Sequence, residues 1–231
     1  MSNWLEMLYN FFTIREITPP PPPKKHIFTV ETSEGEVCQL DTSDRSSPFY
    51  GQSWEKILTA YENKDFLRGR AITRCVSRDN RFSGYSVRVE GIEAFLPASK
   101  ASWFHAPEHD ACGKYIALSV ESVYTSGGKA GNVVVNAYEP IKFLNRRQNK
   151  ANCNIGALTY AIAVDYDKAF LIFPCSKDQL IYVPMKEAMN FAERKGLGNN
   201  PEMITGWCWQ LRIINKKGSQ ILASPVDILT D

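Results

Sequence analysis

Residues 84–104 read GYSVRVEGIEAFLPASKASWF. Tyr85, Val87 and Val89 alternate with Ser86 and Arg88, the period-two pattern of a strand with one buried face. Glu90 and Gly91 supply a tight turn, EAFLP returns as a second strand, and Pro97, which cannot donate to a ladder, ends it. The preceding GRAITRCV, residues 69–76, alternates Ala71, Thr73 and Cys75 with Arg70, Ile72 and Arg74. Downstream, YIALSVESVYT (115–125) and GNVVVNAY (131–138) flank a Gly127–Gly128 turn. Five strands with no long helix between most of them have the profile of a small antiparallel barrel.

The profile then repeats. GALTYAIAV from Gly156 parallels GRAITRCVS from Gly69, KAFLIF (168–173) parallels YSVRV, and QLIYVPMKEAMNF from Gln179 parallels GIEAFLPASKASWF from Gly91. Pro184 takes the place of Pro97, and Lys186 and Phe191 echo Lys100 and Phe104. GWCWQLRIINKKGSQILASPVDI (206–228) matches GKYIALSVESVYTSGGKAGNVVVNAYEPI (113–141). The second copy's strand two, Phe170 to Phe173, is apolar on both faces, so it is expected to be buried on both sides.

The 231 residues suffice for two small domains, and 44% hydrophobic with 23% charged residues is ordinary for a chain that buries a core. A net charge of +2 carries no polybasic signature, so any nucleic-acid site has to be a local patch. No apolar run approaches the ~20 residues of a membrane span, and the N-terminus lacks a signal-peptide pattern. The expectation is a cytoplasmic chain without a membrane partner. Six cysteines, at 38, 75, 112, 153, 175 and 208, include no Cys-x-x-Cys pair and read as reduced thiols. His105, His109 and Cys112 lie close together, but Pro107 interrupts them and a fourth ligand is missing, so neither a metal nor a cofactor is expected.

At the N-terminus, NWLEMLYNFFTI (3–14) places Trp4, Leu5, Leu8, Phe11 and Phe12 on one helical face. Five prolines at 19–23 follow and favour an extended spacer. The helix either folds back on its own chain or docks on another protein or a second copy. HIFTVETSEGEVCQL (26–40) fits a hairpin turning at Glu34 and Gly35, and 41–52 is loop by composition. Ser53 is placed to cap a helix whose apolar positions are Trp54, Ile57, Leu58 and Tyr61. The expected division is an amphipathic helix over 1–18, a polyproline linker and hairpin over 19–52, a first barrel over 53–143, a basic linker over 144–155 and a second barrel over 156–231. Lys142, Arg146, Arg147 and Lys150 make this junction either a basic strip between the barrels or a solvated hinge.

Residues 54–101 resemble a repeat of the bacterial ribosomal protein S-one family. The likeness lies in the Trp-led helix ending Tyr61-Glu62-Asn63, Gly69 opening strand one, Gly84 before strand two, and FLPAS closing strand three. It implies a mainly β fold of two tandem five-stranded OB-fold barrels with an N-terminal helix and hairpin appendage. It also implies single-stranded RNA as partner, a setting in translation, and a site on the outer face of strands one to three. Matched by position, Arg74 falls on the basic position of strand one, Phe82 and Ser86 on positions around strand two that are often aromatic, and Phe95 and Pro97 on strand three. Ser86 departs from the pattern, as does the last strand, which ends in NAY (136–138) where relatives often carry a Ser-Arg-Arg-like element. The second copy resembles the family only through the first and is degenerate.

Independently of the family, single strands are bound by stacking bases on aromatic rings, worth about 1–3 kcal/mol per base, with basic side chains along the backbone. Arg70, Arg74, Arg78, Arg81 and Arg88 fall within one strand–loop–strand unit. Phe82, Phe95, Lys100, Trp103 and His105 complete the candidate RNA-binding set, with Phe104 nearby. Tyr85 is expected in the core; Phe95 divides evenly between core and site; Trp103 and His105 either border the groove or lid the barrel. No nucleophile elbow, phosphate loop, zinc-protease or dinucleotide motif appears, and Asp79, Glu90, Glu93 and Asp110 do not converge, so no enzyme is expected. The alternative is a protein-interaction scaffold whose barrels no longer bind nucleic acid.

Overall fold

The computed structural model describes residues 26–31, 37–101, 104, 109–124, 132–147, 153–176 and 179–229. The expected helix over 3–14, the proline run, the Glu34–Gly35 and Gly127–Gly128 turns, Trp103, His105 and Lys150 lie outside the described residues.

The first barrel is built from β3 (Phe66–Val76), β4 (Phe82–Val89), β5 (Ile92–Pro97), β6 (Tyr115–Val123) and β7 (Val133–Asn136). They close in the order β3-β4-β5-β7-β6, with β5 and β7 parallel and the other pairs antiparallel. Val89 pairs with Ile92 across Glu90 (φ 48°) and Gly91 (φ 84°), the doubly left-handed two-residue turn that matches strand twist. Tyr85, Val87, Val89, Leu96, Leu118, Val133 and Val135 are fully buried, each large aliphatic contributing about 1.5–3 kcal/mol. Gly69 is required by this packing, because a Cβ there would stand 2.7 Å from both Leu118 and Val89.

Upstream, β1 (Ile27–Glu31) and β2 (Val37–Asp41) pair antiparallel. Phe28, Val30 and Leu40 join the first barrel's own hydrophobic cluster, so the hairpin extends that core instead of hanging from it. Helix α1 (Gln52–Asn63) buries Trp54, Ile57, Leu58 and Ala60, with the Phe49 ring edge-on to Trp54 at 4.7 Å. Its N-cap is Gly51 (φ 110°), without a side-chain cap; the expected capping role of Ser53 is therefore overturned, since Ser53 already stands inside the first turn. Helix α2 (Tyr138–Arg147) occupies the start of the expected linker and buries Leu144, with Phe143 edge-on to Phe66 at 5.4 Å.

The second sheet runs β8-β12-β13-β11-β10-β9, from β8 (Leu158–Ile162), β9 (Asp165–Tyr166), β10 (Phe170–Ser176), β11 (Gln179–Pro184), β12 (Cys208–Lys217) and β13 (Gln220–Leu229). Its pairings follow the order of the first barrel with strand one split in two, so the six strands curl into a half-barrel left open between β8 and β9. β8 pairs with β12 and β9 with β10, and the chain changes partner at Ala163–Val164, which bond Trp207 and Ile172. Gly84 faces Pro97 in the first ladder and Phe170 faces Pro184 in the second, so the proline equivalence holds. Strand one does not keep the expected register: Gly69 pairs with Ile116 and Ala161 with Trp209, so Ala161, and not Gly156, corresponds to Gly69. Helix α3 (Met185–Arg194) replaces the single 3-10 turn at Ala98–Lys100.

The barrels dock through an apolar seam in which Ile162, Val164, Cys208 and Leu229 join the first barrel's cluster. Around it, the Arg68 guanidinium lies 3.8 Å from the Tyr115 ring and 4.5 Å from Trp207, and donates to the carbonyls of Thr205 (3.0 Å) and Met203 (2.5 Å). Burial lowers its pKa to about 10, leaving it charged at neutral pH. Asp165, 6% exposed, meets Lys114 at 2.5 Å and His109 at 3.3 Å. Among the described residues, the cations placed at this seam come from β3 and the β6 approach, while Lys142 pairs with Glu139 within α2.

Candidate nucleic-acid interface

The position of the face follows from a bulge in β3. Ala71 pairs with Val87 and the next pairing is Thr73 with Ser86, so Ile72 is an extra residue and stands 42% exposed. The rungs on either side then sort by direction. Thr73, Ser86 and Phe95 form one outward rung, and Arg88 and Glu93 lie on the next. Ile72, Thr73, Cys75, Ser86, Arg88 and Glu93 line a groove of about 390 Å³.

Phe95 is half-buried, its ring lying across Gly84, where an added Cβ would come within 2.9 Å of Cζ. Arg88 is exposed and makes no ion pair among the described residues. Ser86 Oγ donates to Glu93 Oε1 at 2.7 Å, leaving the carboxylate's remaining lone pairs for a donor such as a base amine. An aromatic surface, a free cation and an oriented acceptor on one face suit a base with its phosphate.

The described members of the predicted set are dispersed. Arg88 lines the groove, and Phe95 stands beside it on the same outer face, one rung away across from Ser86. Arg74 pairs with Tyr85 on the inward rung and emerges at the barrel mouth, its guanidinium 4.2 Å from the Phe82 ring; Phe82 is half-buried and edge-on to Tyr85 at 5.1 Å. Arg78 and Arg81 are exposed at the connection between β3 and β4, next to that mouth. Arg70 and Lys100 belong elsewhere: Arg70 donates to Gly113 O (3.1 Å) and Glu202 (3.1 Å) across the barrel seam, and Lys100 pairs with Glu121 at 2.8 Å. Phe104, though close in sequence, is fully buried and its carbonyl accepts from Tyr85 at 3.3 Å. Tyr85 is core, as its alternation predicts, and burial pushes its phenol pKa up.

A second depression was not legible in the sequence. Leu171 and Phe173 are fully buried while Phe170 and Ile172 are half-buried, so β10 presents an outer face; the expectation of burial on both sides is overturned. Phe170 occupies the ladder position of Gly84 and Tyr182 that of Phe95, and the two rings meet edge-on at 5.7 Å. Together with Asp167, Asn215, Lys216, Lys217, Gln220 and Leu222 they line about 360 Å³. Asp167 accepts from the backbones of Ala169 and Phe170, both at 2.7 Å, and so fixes the entry to β10. Four consecutive apolar residues masked this face, although the Lys216-Lys217-Gly218 hairpin signal was readable.

Among the described residues no cluster of three or more His, Cys, Asp or Glu is arranged to hold a metal, and no helix is long and apolar enough to cross a membrane. No family model matches the chain, and no similar curated protein was found. Among solved structures, the chain is similar to a multidomain protein with nucleic acid binding domains from Streptococcus pneumoniae, at 12% identity and a TM-score of 0.31 over 87% of this chain and 59% of that one. It is also similar to the yeast pseudonuclease Ssd1, at 12% identity and a TM-score of 0.26 over 80% of this chain and 25% of that one. The chain thus spans under two thirds of either neighbour. Likeness at these scores leaves the reading of the site to its own geometry.

Proposed function

We propose that this chain is a non-enzymatic protein that binds single-stranded RNA, chiefly on the outer face of β3, β4 and β5. The observation that carries the reading is Arg88, without an ion pair among the described residues and diagonal to the half-exposed Phe95 on one outer face of the sheet. Stacking on Phe95 holds a base, Glu93 accepts from its edge, and Arg88 meets the phosphate. The likeness of residues 54–101 to an S-one-type repeat supports RNA over other ligands, and extends the reading to a cytoplasmic role in translation. The Phe170–Tyr182 depression, with Lys216 and Lys217, offers a second place for the same strand. The segment containing Trp4 to Phe12 is assigned to docking on a protein or ribonucleoprotein assembly.

A protein-interaction scaffold is the second reading, favoured by the diversion of Arg70 and Lys100 into ion pairs with Glu202 and Glu121. Fluorescence anisotropy with labelled single-stranded RNA, duplex RNA and single-stranded DNA at two salt concentrations separates the two. Preferential, salt-sensitive binding of single-stranded RNA is expected. Absence of binding at low salt overturns the RNA reading and leaves the scaffold.

A further inference from the structure

Cys153 and Cys175 are 22 residues apart in sequence, and their Sγ atoms lie 2.7 Å apart. Cys153 is 6% exposed and belongs to the second barrel's core cluster, just beyond the segment that joins the barrels. Cys175 is half-buried and sits where the β10–β11 register shifts between Pro174 and Ser176, an irregularity that frees its side chain from strict alternation. A disulfide requires the sulfurs at about 2.05 Å, so only a small closure separates this pair from a bond.

We propose that Cys153 and Cys175 form an oxidation site, converted by a peroxide to an intramolecular disulfide. The Cys153 thiolate attacks one peroxide oxygen, the O–O bond breaks, and the departing hydroxide is protonated to water, leaving a sulfenic acid on Cys153. The Cys175 sulfur then attacks that sulfur, the S–O bond breaks, and the hydroxyl leaves as water with the Cys175 thiol proton. Two thiols are oxidised by two electrons, and one peroxide is reduced to two waters. The surroundings assign the roles: the hydrogen bond from Cys175 and, against the cost of burial, the Lys216 cation hold the Cys153 thiol down to about 7, while the same bond pushes Cys175 up. Cys208, fully enclosed, has its thiol pushed up by burial alone and is inert by contrast. The product ties the start of the second barrel's chain to β10, next to the Phe170–Tyr182 depression whose wall includes Lys216.

The test uses the full chain, folded and treated with hydrogen peroxide, then alkylated and digested with trypsin without reduction. Cleavage after Lys150, Lys168 and Lys177 places Cys153 and Cys175 on separate peptides, 151–168 and 169–177. The expected product is these two peptides joined, lighter by two hydrogens than their sum, with the other four cysteines alkylated. Oxidation is expected to raise the melting temperature by roughly 5–10 °C. Cys153→Ser and Cys175→Ser each abolish the linked species, and Cys75→Ser leaves it. Alkylation of all six cysteines after peroxide treatment, or linkage of either cysteine to a different one, overturns the proposal. Because the primary readout is on the unmodified chain, it does not depend on whether a variant folds, nor on whether the chain binds RNA.

Discussion

Gly84 shows how one residue seats the aromatic ring of the proposed binding face. At φ 149°, a Cβ would stand 2.2 Å from the Leu96 carbonyl oxygen and 2.9 Å from the Phe95 ring, so no side-chain motion relieves the backbone clash. Gly84→Ala is expected to destabilise the chain by about 2–4 kcal/mol in urea unfolding, because strain and overpacking act together. Phe95→Ala removes the stacking surface without entering the core; a loss of about 10-fold in single-stranded RNA affinity, with the unfolding midpoint nearly unchanged, is the expected anisotropy result. Arg70→Ala provides the contrast, since its guanidinium serves Glu202 and Gly113, and RNA affinity is expected to stay within about twofold. The Cys153 thiol adds a pH signature. Its folded pKa of about 7 lies below the ordinary thiol value of 9.0, so thiolate accumulates on raising pH through 7. The rate of pair oxidation by peroxide is expected to rise through that window and flatten below pH 9, where an ordinary thiol is still gaining reactivity.

Among the elements, β3 divides its labour along its length. Its first half pairs with β6 and turns Arg68 and Arg70 toward the second barrel, while its bulged second half pairs with β4 and sets the groove. Arg68 combines two ring contacts with two carbonyl hydrogen bonds, a geometry that depends on a planar, forked cation. Arg68→Lys is therefore expected to cost about 2–3 kcal/mol, because the remaining ammonium stays half-buried without the second donor arm. Differential scanning calorimetry reads this as a lower or split transition; an unchanged melting profile would show that the clasp contributes nothing to docking. β10 and β4 illustrate divergence on one ladder: Phe170 stands where Gly84 stands, so the second barrel's ring pair is edge-on and open to Lys216 and Lys217, whereas Phe95 lies across bare backbone.

Across the whole molecule, the near-neutral charge makes any RNA binding local, and its salt dependence counts the phosphates engaged. With about three phosphates on a single strand, affinity is expected to fall roughly 20-fold between 50 and 200 mM salt. Combining Phe95→Ala with Tyr182→Ala tests whether one strand spans both barrels: on a long oligonucleotide the two losses are expected to add in free energy, while a short one senses only Phe95. Much of this organisation was legible in advance. The period-two runs, the Glu90–Gly91 turn and the recurrence of the Pro97 pattern at Pro184 determined two copies of a five-strand circuit, because alternation, turn chemistry and a missing amide are local properties of the chain. Local chemistry also placed Tyr85 inside and the hairpin over 26–40. It did not place the candidate site. Arg70, Arg74 and Arg88 are equivalent by spacing, yet one clasps the other barrel, one caps a ring at the barrel mouth and one faces the groove. A one-residue bulge and a docked neighbour decide among them, and neither leaves a mark in a single strand's sequence. The strand-one register of the second copy and the exposed face of β10 were likewise settled by tertiary structure, because burial depends on which surfaces the rest of the chain covers.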